Sequence, residues 1–349
     1  MSSNILIAGA AGYIGGAVVA ALVSGDRVPA GNLFAAARTE EQVKSLDSFG
    51  INVLQLDLQD EQAVVEAVLQ NKIDIVIQTA SSIDPHPAIH LIKALGKRHE
   101  VTGKDTYHIH SSVTTGYSKE NGWPYGEIKD GDQVYKMEKE LNSDFPIWTT
   151  NTAITELAKA QGVTSFIVGV PFVYGTGAGP WKKLSQNIPA ITKASIAQKQ
   201  VYKFDKDSAF LAVHISDIAE YYVLLLAKIL QGEKIPSGEN GYYFAVAHRA
   251  GWWEVVQGLA DALYARGLVD TPKVEVWPSD EMAAKTLGFP RQFIRLMYTA
   301  HATVNYTDRY PLGWKPRWDR KRFLETLDDE IAATIQYDKG STLFDAVKD

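Results

Sequence analysis

Gly9, Gly12 and Gly15, three positions apart, stand where an apolar run at Asn4 to Ala8 gives way to a helical pattern over Ile14 to Val23. A first glycine in such a place permits a tight turn, a second lets backbone approach a bound group, and a third lets the helix pack on its strand. The amides that open the helix then face a common point where an anion is stabilised. An ordinary strand-to-helix turn would also fit a glycine triplet, so the surrounding pattern has to decide.

That pattern is a repeated alternation of strand and helix. Short apolar runs at Leu33 to Ala37, Asn52 to Leu56 and Asp74 to Thr79 are separated by helical patterns at Glu40 to Phe49 and Glu61 to Gln70. A helix over Pro85 to Lys97, a fifth strand at Tyr107 to Ser111, a helix from Thr150 to Ala160 and a strand at Ser165 to Val170 continue it. Right-handed crossovers make such units a parallel sheet covered on both faces. The class is α/β, a Rossmann doubly wound parallel sheet. Residues 116 to 148, rich in glycine and proline, read as a long excursion with one short helix around Val134 to Leu141.

Beyond Pro171 the chain turns aromatic, six of its eight tryptophans lying after residue 180. Helices at Ile218 to Leu230, Trp252 to Ala265 and Arg322 to Ile335 suggest a smaller carboxy-terminal substrate lobe. The expected division is a dinucleotide-binding domain over 1–175 and a substrate lobe over 176–349, the chain returning to the sheet around 205–230. A length of 349 residues suits two lobes at ~150 residues per domain.

Composition removes several classes of function. A net charge of -6 gives no broad positive field for nucleic acid or an anionic membrane, so the expected partner is a small molecule. The absence of cysteine excludes disulfides, thiolate metal sites and cysteine nucleophiles. Ile5 to Val23 carries four glycines and no basic flank, unlike a signal or membrane segment, which makes a cytoplasmic location the default expectation.

The glycine turn, with Tyr13 and Ile14 inside it, predicts a pyrophosphate site. Strand two ends in Ala37 and Arg38 in place of the acidic residue that would bind a ribose hydroxyl, and a guanidinium there matches a 2′-phosphate. NADP is therefore the expected cofactor. Arg38 also reads as a solvated residue before a helix capped by Thr39. Asp57 and Leu58, at the end of strand three, are placed to flank the adenine, although Asp57 equally suits a helix cap.

GAAGYIGG at 9–16, LDL at 56–58, TASS at 79–82, HSSVT at 110–114, VPFVYGTG at 170–177, VHISDIA at 213–219 and LGWKP at 312–316 resemble the extended short-chain dehydrogenase/reductase superfamily. GAGPWKKLSQNIP and GENGYYF resemble more narrowly an atypical, epimerase-like and mostly fungal branch of NAD(P)-binding proteins. The resemblance implies cofactor contacts at Thr79, Ala80 and Ser81, and backbone against the nicotinamide at Pro171 and Val173. It also implies a serine or threonine after strand five and a Tyr-x-x-x-Lys pair opening the next helix, the tyrosine moving a proton and the lysine lowering its pKa.

Ser112, with Ser111 and Thr114 beside it, supplies the hydroxyl. For the pair two alignments compete. Counting back from strand six gives Phe145 and Thr149, which cannot do this chemistry; counting forward from Ser112 gives Tyr135 and Lys139, which have the right mutual spacing but precede Pro146. Without a tyrosine acid, reduction would need another proton donor such as Tyr117, Tyr174, Lys182 or Lys183, each of which reads better as a packed or solvated residue. His86 and His90 have a metal-like spacing without a third ligand, so no metal is expected. Ser112, His214 and Asp217 lack the glycine-flanked elbow of a hydrolase. Trp252 and Trp253 suit lobe packing better than substrate stacking.

The leading expectation is an NADP-dependent oxidoreductase or epimerase-like enzyme acting on a small apolar carbonyl or alcohol. Its rivals are a non-redox isomerase, cyclase or lyase that has lost the pair, and a regulatory protein that senses NADP(H).

Overall fold

A computed structural model describes residues 3–25, 27–307, 310 and 312–338. Its first half contains β1 (Asn4–Ala8), α1 (Tyr13–Ser24), β2 (Leu33–Ala37), α2 (Glu40–Leu46), β3 (Asn52–Gln55) and α3 (Glu61–Gln70). Next come β4 (Ile73–Gln78), α4 (His86–Thr102), β5 (Tyr107–Val113), α5 (Val134–Glu140), α6 (Pro146–Ala160) and β6 (Thr164–Val170). The second half adds β7 (Phe172–Tyr174), α7 (Asn187–Gln198), β8 (Tyr202–Lys203), β9 (Ala209–His214), α8 (Ile215–Leu230) and β10 (Tyr242–Phe244). It ends with β11 (His248–Gly251), α9 (Trp252–Ala265), β12 (Glu275–Val276), α10 (Asp280–Leu287), α11 (Arg291–Thr299), α12 (Arg320–Glu325) and α13 (Leu327–Tyr337).

Seven of these strands form one parallel sheet in the order β10-β6-β5-β4-β1-β2-β3. This is the doubly wound α/β architecture. The order reverses between β1 and β4, and a crevice beyond the carboxyl ends of those strands is where such sheets bind ligands. β1 and β2 are buried on both faces, which is why they read as unbroken apolar runs. One side is closed by α1, α2 and α8, the other by α3, α4 and α6. A separate core joins α7, α9, α10, α11, α12 and α13 around Trp252, Leu259 and Phe323.

Several boundaries differ from the sequence reading, each for a local reason. Proline loses no hydrogen bond at the first helical position, so α6 starts at Pro146 and not at Thr150. β5 continues to Val113 because β6 offers partners as far as Val170. The helix expected over Arg322 to Ile335 is two, since the Thr326 hydroxyl turns back to the carbonyls of Arg322 and Phe323. α7 escaped notice because buried Asn187, Thr192 and Ser195 blur its apolar period. β10, only three residues long, adds a seventh strand beside β6.

Asp217, 1% exposed at the start of α8, fastens the segment before α12 to the sheet side. Its carboxylate accepts the backbone N–H groups of Arg317 at 2.9 Å and Trp318 at 3.0 Å, and its carbonyl accepts the Trp314 indole at 2.9 Å. Asp217→Ala strands two N–H donors at ~1–3 kcal/mol each. A loss of about 2–6 kcal/mol is expected, read as a lower urea midpoint at unchanged m value.

Candidate active site

Close backbone packing explains each glycine of the turn. Gly9 takes φ +85°, and its carbonyl accepts the Gly12 N–H at 2.8 Å. A Cβ on Gly15 would lie 2.2 Å from the Gly9 oxygen and 2.6 Å from Thr79 Oγ1. A Cβ on Gly9 would lie 2.8 Å from the Ala80 nitrogen. Thr79 completes the joint by donating to the Ala8 carbonyl at 3.0 Å, so the end of β4 is fixed to the turn after β1. No side chain caps α1 and no acid lies in its first turn, which leaves a positive helix start.

Around this turn the other expected cofactor residues take distinct places. Arg38 is exposed after β2, its backbone N–H bonded to Gln42 Oε1 at 2.8 Å, while Thr39 caps α2. Asp57 is exposed and accepts the Gln59 N–H at 3.0 Å, a turn contact; Leu58 is half-buried, and its carbonyl accepts from His90 at 2.9 Å. Ala80 is exposed beside the turn, and Ser81 Oγ shapes the next loop by accepting the Asp84 N–H at 3.0 Å. Ile14 packs at the rim of the core, Pro171 is buried and Val173 half-buried.

Tyr13 makes a link that spacing did not show. Its hydroxyl donates to the Gly175 carbonyl at 2.6 Å, and the Gly175 N–H donates to Glu330 of α13 at 2.5 Å. The turn beside α1, the segment after β7 and the last described helix thus meet at one glycine. Glu330 sits in the buried stripe Leu327, Glu330, Ile331 and Thr334. An acid at an apolar position of a helix is the signal that sequence reading passed over.

β5 brings Ser112, 1% exposed, and Thr114, 2% exposed, to the carboxyl end of the sheet, where Ser112 Oγ has no protein partner. Ser111 points to the other face and bonds with the Tyr222 hydroxyl at 2.5 Å. Phe145 lies next to this end, its ring 3.5 Å from where a Gly116 Cβ would stand and 4.7 Å from the Trp148 ring. Thr149 Oγ1 donates to the carbonyls of Phe145 and Pro146 at 3.3 and 3.1 Å.

Tyr135 and Lys139 do meet, at 3.4 Å, but both are tied to Glu156 of α6, at 3.1 and 2.7 Å. They belong to α5, which packs on α6 and on the turn at 238–240, and neither hydrogen-bonds with Ser112 Oγ. Burial and the Glu156 hydrogen bond raise the Tyr135 pKa, the opposite of what the proton-moving tyrosine of such a pair requires. Lys139 pulls the other way, but burial and Glu156 together outweigh it.

Most of the remaining candidates have partners of their own. Tyr117 donates to buried Glu138 at 2.8 Å, Tyr174 bonds with His248 at 2.9 Å, and Lys183 lies over the Tyr337 ring. His214 bonds with Ser216 at 2.8 Å, and Asp217 holds the backbone described above, so neither engages Ser112. His86 pairs with Asp84, and among the described residues no group of three or more His, Cys, Asp or Glu is placed to hold a metal. Trp252 is buried against Phe210, while Trp253 carries Lys203 on its face.

Known structures repeat this architecture along nearly the whole chain. UDP-glucose 4-epimerase of Thermotoga maritima, determined with UDP-glucose, matches with a TM-score of 0.65 at 16% identity, over 95% of this chain and 99% of that one. The chain shares the fold of this epimerase. Another protein of this fold, dTDP-glucose 4,6-dehydratase of Bacillus anthracis in complex with NAD, matches with a TM-score of 0.63 at 12% identity, over 97% and 98% of the two chains. The NmrA-like family model matches residues 1–95. An oxidase of Acremonium sp, ucsJ, is 23% identical over 309 residues, 81% of this chain and 85% of the oxidase. Among the described residues no helix is long and apolar enough to cross a membrane.

Two measurements test this geometry. Gly15→Ala drives a methyl into the Gly9 carbonyl, and it is expected to abolish nicotinamide dinucleotide binding in fluorescence titration and to lower the melting temperature. Burial pushes the Glu330 carboxyl up to about 7 against the pull of the Gly175 N–H, so the folded state keeps a proton that the unfolded chain releases near 4.5. That contribution to stability is complete below 4.5 and is lost as pH rises through about 7. Glu330→Gln keeps an acceptor for Gly175 and removes the titration; between about pH 5 and about pH 8 the natural protein should lose up to about 3 kcal/mol more than the variant in urea unfolding.

Proposed function

We propose that this protein is an NADP-dependent oxidoreductase or epimerase-like enzyme acting on the carbonyl or alcohol of a small apolar metabolite. The observation that carries this reading is the closed glycine joint, whose uncapped helix start faces the crevice and has Arg38 nearby where a ribose-binding acid would stand. Gly9, Gly12, Tyr13, Ile14 and Gly15 would hold the pyrophosphate, and Arg38 the 2′-phosphate. Asp57, Leu58, Thr79, Ala80 and Ser81 would border the adenine and ribose, with Pro171 and Val173 against the nicotinamide. When bound, the cofactor supplies or accepts a hydride at a substrate carbon. Ser112 and Thr114 would orient the substrate oxygen, Ser112 holding a proton at its Oγ. Nicotinamide dinucleotides in the epimerase-fold structures support the cofactor class.

Phe145 and Thr149 at the expected dyad positions favour a second reading, a non-redox isomerase, cyclase or lyase that retains its cofactor as a structural part. Product formation without any change in nicotinamide absorbance would select it. For the first reading, NADPH should be consumed with at least one member of a broad panel of small apolar carbonyls. Arg38→Ala should weaken NADPH by about tenfold to a hundredfold, the value of a charge-assisted phosphate contact, and leave NADH unchanged. Equal weakening of both would remove the 2′-phosphate assignment.

A further inference from the structure

The central strand β5 has a polar side chain at every second position. Thr106 just before it, then His108, His110 and Ser112, are at most 1% exposed. Inner strands of parallel sheets are ordinarily apolar on both faces, and Ile109 on the opposite face obeys that rule. Alternation turns the polar set toward α4 and α6, with His108 beside Val76 and Ser165 and His110 beside Gln78 and Ile167. Thr106 Oγ1, both His108 nitrogens, His110 Nε2, Ser112 Oγ and Ser165 Oγ have no protein partner. Buried polar atoms of native proteins are almost always satisfied, by protein or by water.

Hydrogen bonding fixes what His110 offers. Gln78 donates through Nε2 to the Ser81 carbonyl at 3.1 Å, which turns its Oε1 toward His110 Nδ1. Nδ1 therefore carries the proton, and Nε2 is an acceptor. Burial holds both histidines down at about 3, so near neutral pH each presents one donor and one acceptor. Successive side chains on one face of a strand stand about 7 Å apart, a gap spanned by about two waters hydrogen-bonded to each other as well as to the side chains. Exposed Asp105 adjoins the Thr106 end, and Ser112 closes the other end at the crevice.

We propose that this face of β5 holds a file of ordered waters from Thr106 to Ser112, and that the file supplies protons to Ser112 in place of the tyrosine and lysine that Phe145 and Thr149 displace. The proton role rests on the carbonyl or alcohol reading above; the water sites do not. As the substrate carbon gains its hydride, the substrate oxygen takes the Ser112 hydroxyl proton, and Ser112 Oγ takes one from the adjacent water. His110 Nε2 holds the next water by accepting its other hydrogen. Each water passes one proton along, and solvent at the Thr106 end restores it, so one hydride and one proton are consumed per carbonyl. Alcohol oxidation runs the same steps backward.

A crystal structure of the full chain at about 1.5 Å should show waters within hydrogen-bond reach of His108, His110 Nε2 and Ser112 Oγ. A dry interior overturns the proposal. His108→Leu interrupts the file far from the substrate, whereas His108→Gln keeps a donor and an acceptor and controls for packing. In single turnovers with NADPH and an accepted carbonyl, the leucine variant should slow about tenfold or more with a larger solvent deuterium isotope effect, and the glutamine variant should stay within about twofold. Cofactor affinity should be the same in all three proteins. Equal rates and isotope effects overturn the proton route even with waters in place. If the natural protein reduces no carbonyl, the enzyme reading and the proton role fall together, and the crystal still decides the water file.

Discussion

The contact of Gly15 with the Gly9 carbonyl and Thr79 is the joint on which the rest of the site is built. At a distance that no side chain tolerates, it locks the start of α1 onto the ends of β1 and β4. The start of α1, which no side chain caps, then stands at the carboxyl end of β1, where the strand order reverses. Tyr13, the first residue of that helix, carries the constraint outward to Gly175, and Glu330 meets the same residue from α13. A turn of a few residues near the amino terminus therefore sets the position of a segment more than 160 residues later.

The same rigidity sharpens the chemical question at Ser112. The sheet delivers a buried hydroxyl to its carboxyl end, while Phe145 packs against Gly116 and Trp148 and Thr149 turns its hydroxyl to the carbonyls of Phe145 and Pro146. Tyr135 and Lys139 have the right spacing for the missing pair, but spacing within one short helix says nothing of which way it faces. Glu156 binds both, and α5 settles on the outer side of α6. Behind Ser112 on the same face of β5 stand His110, His108 and Thr106, all buried.

Much of this was legible in the residue pattern. Strands β1 to β6 and the helices between them follow from apolar periodicity, and the need for glycine at 9, 12 and 15 follows from position alone. Where the reading missed, the reason was physical. Pro146 served as a helix opener where it was read as a barrier, the three residues of β10 were too short to show a period, and polar residues inside α7 hid its buried face. Glu330 was invisible for a different reason: its partner, Gly175, is 155 residues away, and no local rule connects them.

By itself the sequence determined the doubly wound sheet and the glycine turn, because backbone sterics and periodic burial act within a few residues of chain. Tertiary structure alone decided that Phe145 lies against Gly116, that Tyr135 and Lys139 turn to Glu156, and that Thr106, His108, His110 and Ser112 form one enclosed polar face. Those outcomes depend on which surfaces α4, α5 and α6 cover, and covering is a property of packed elements rather than of any one of them.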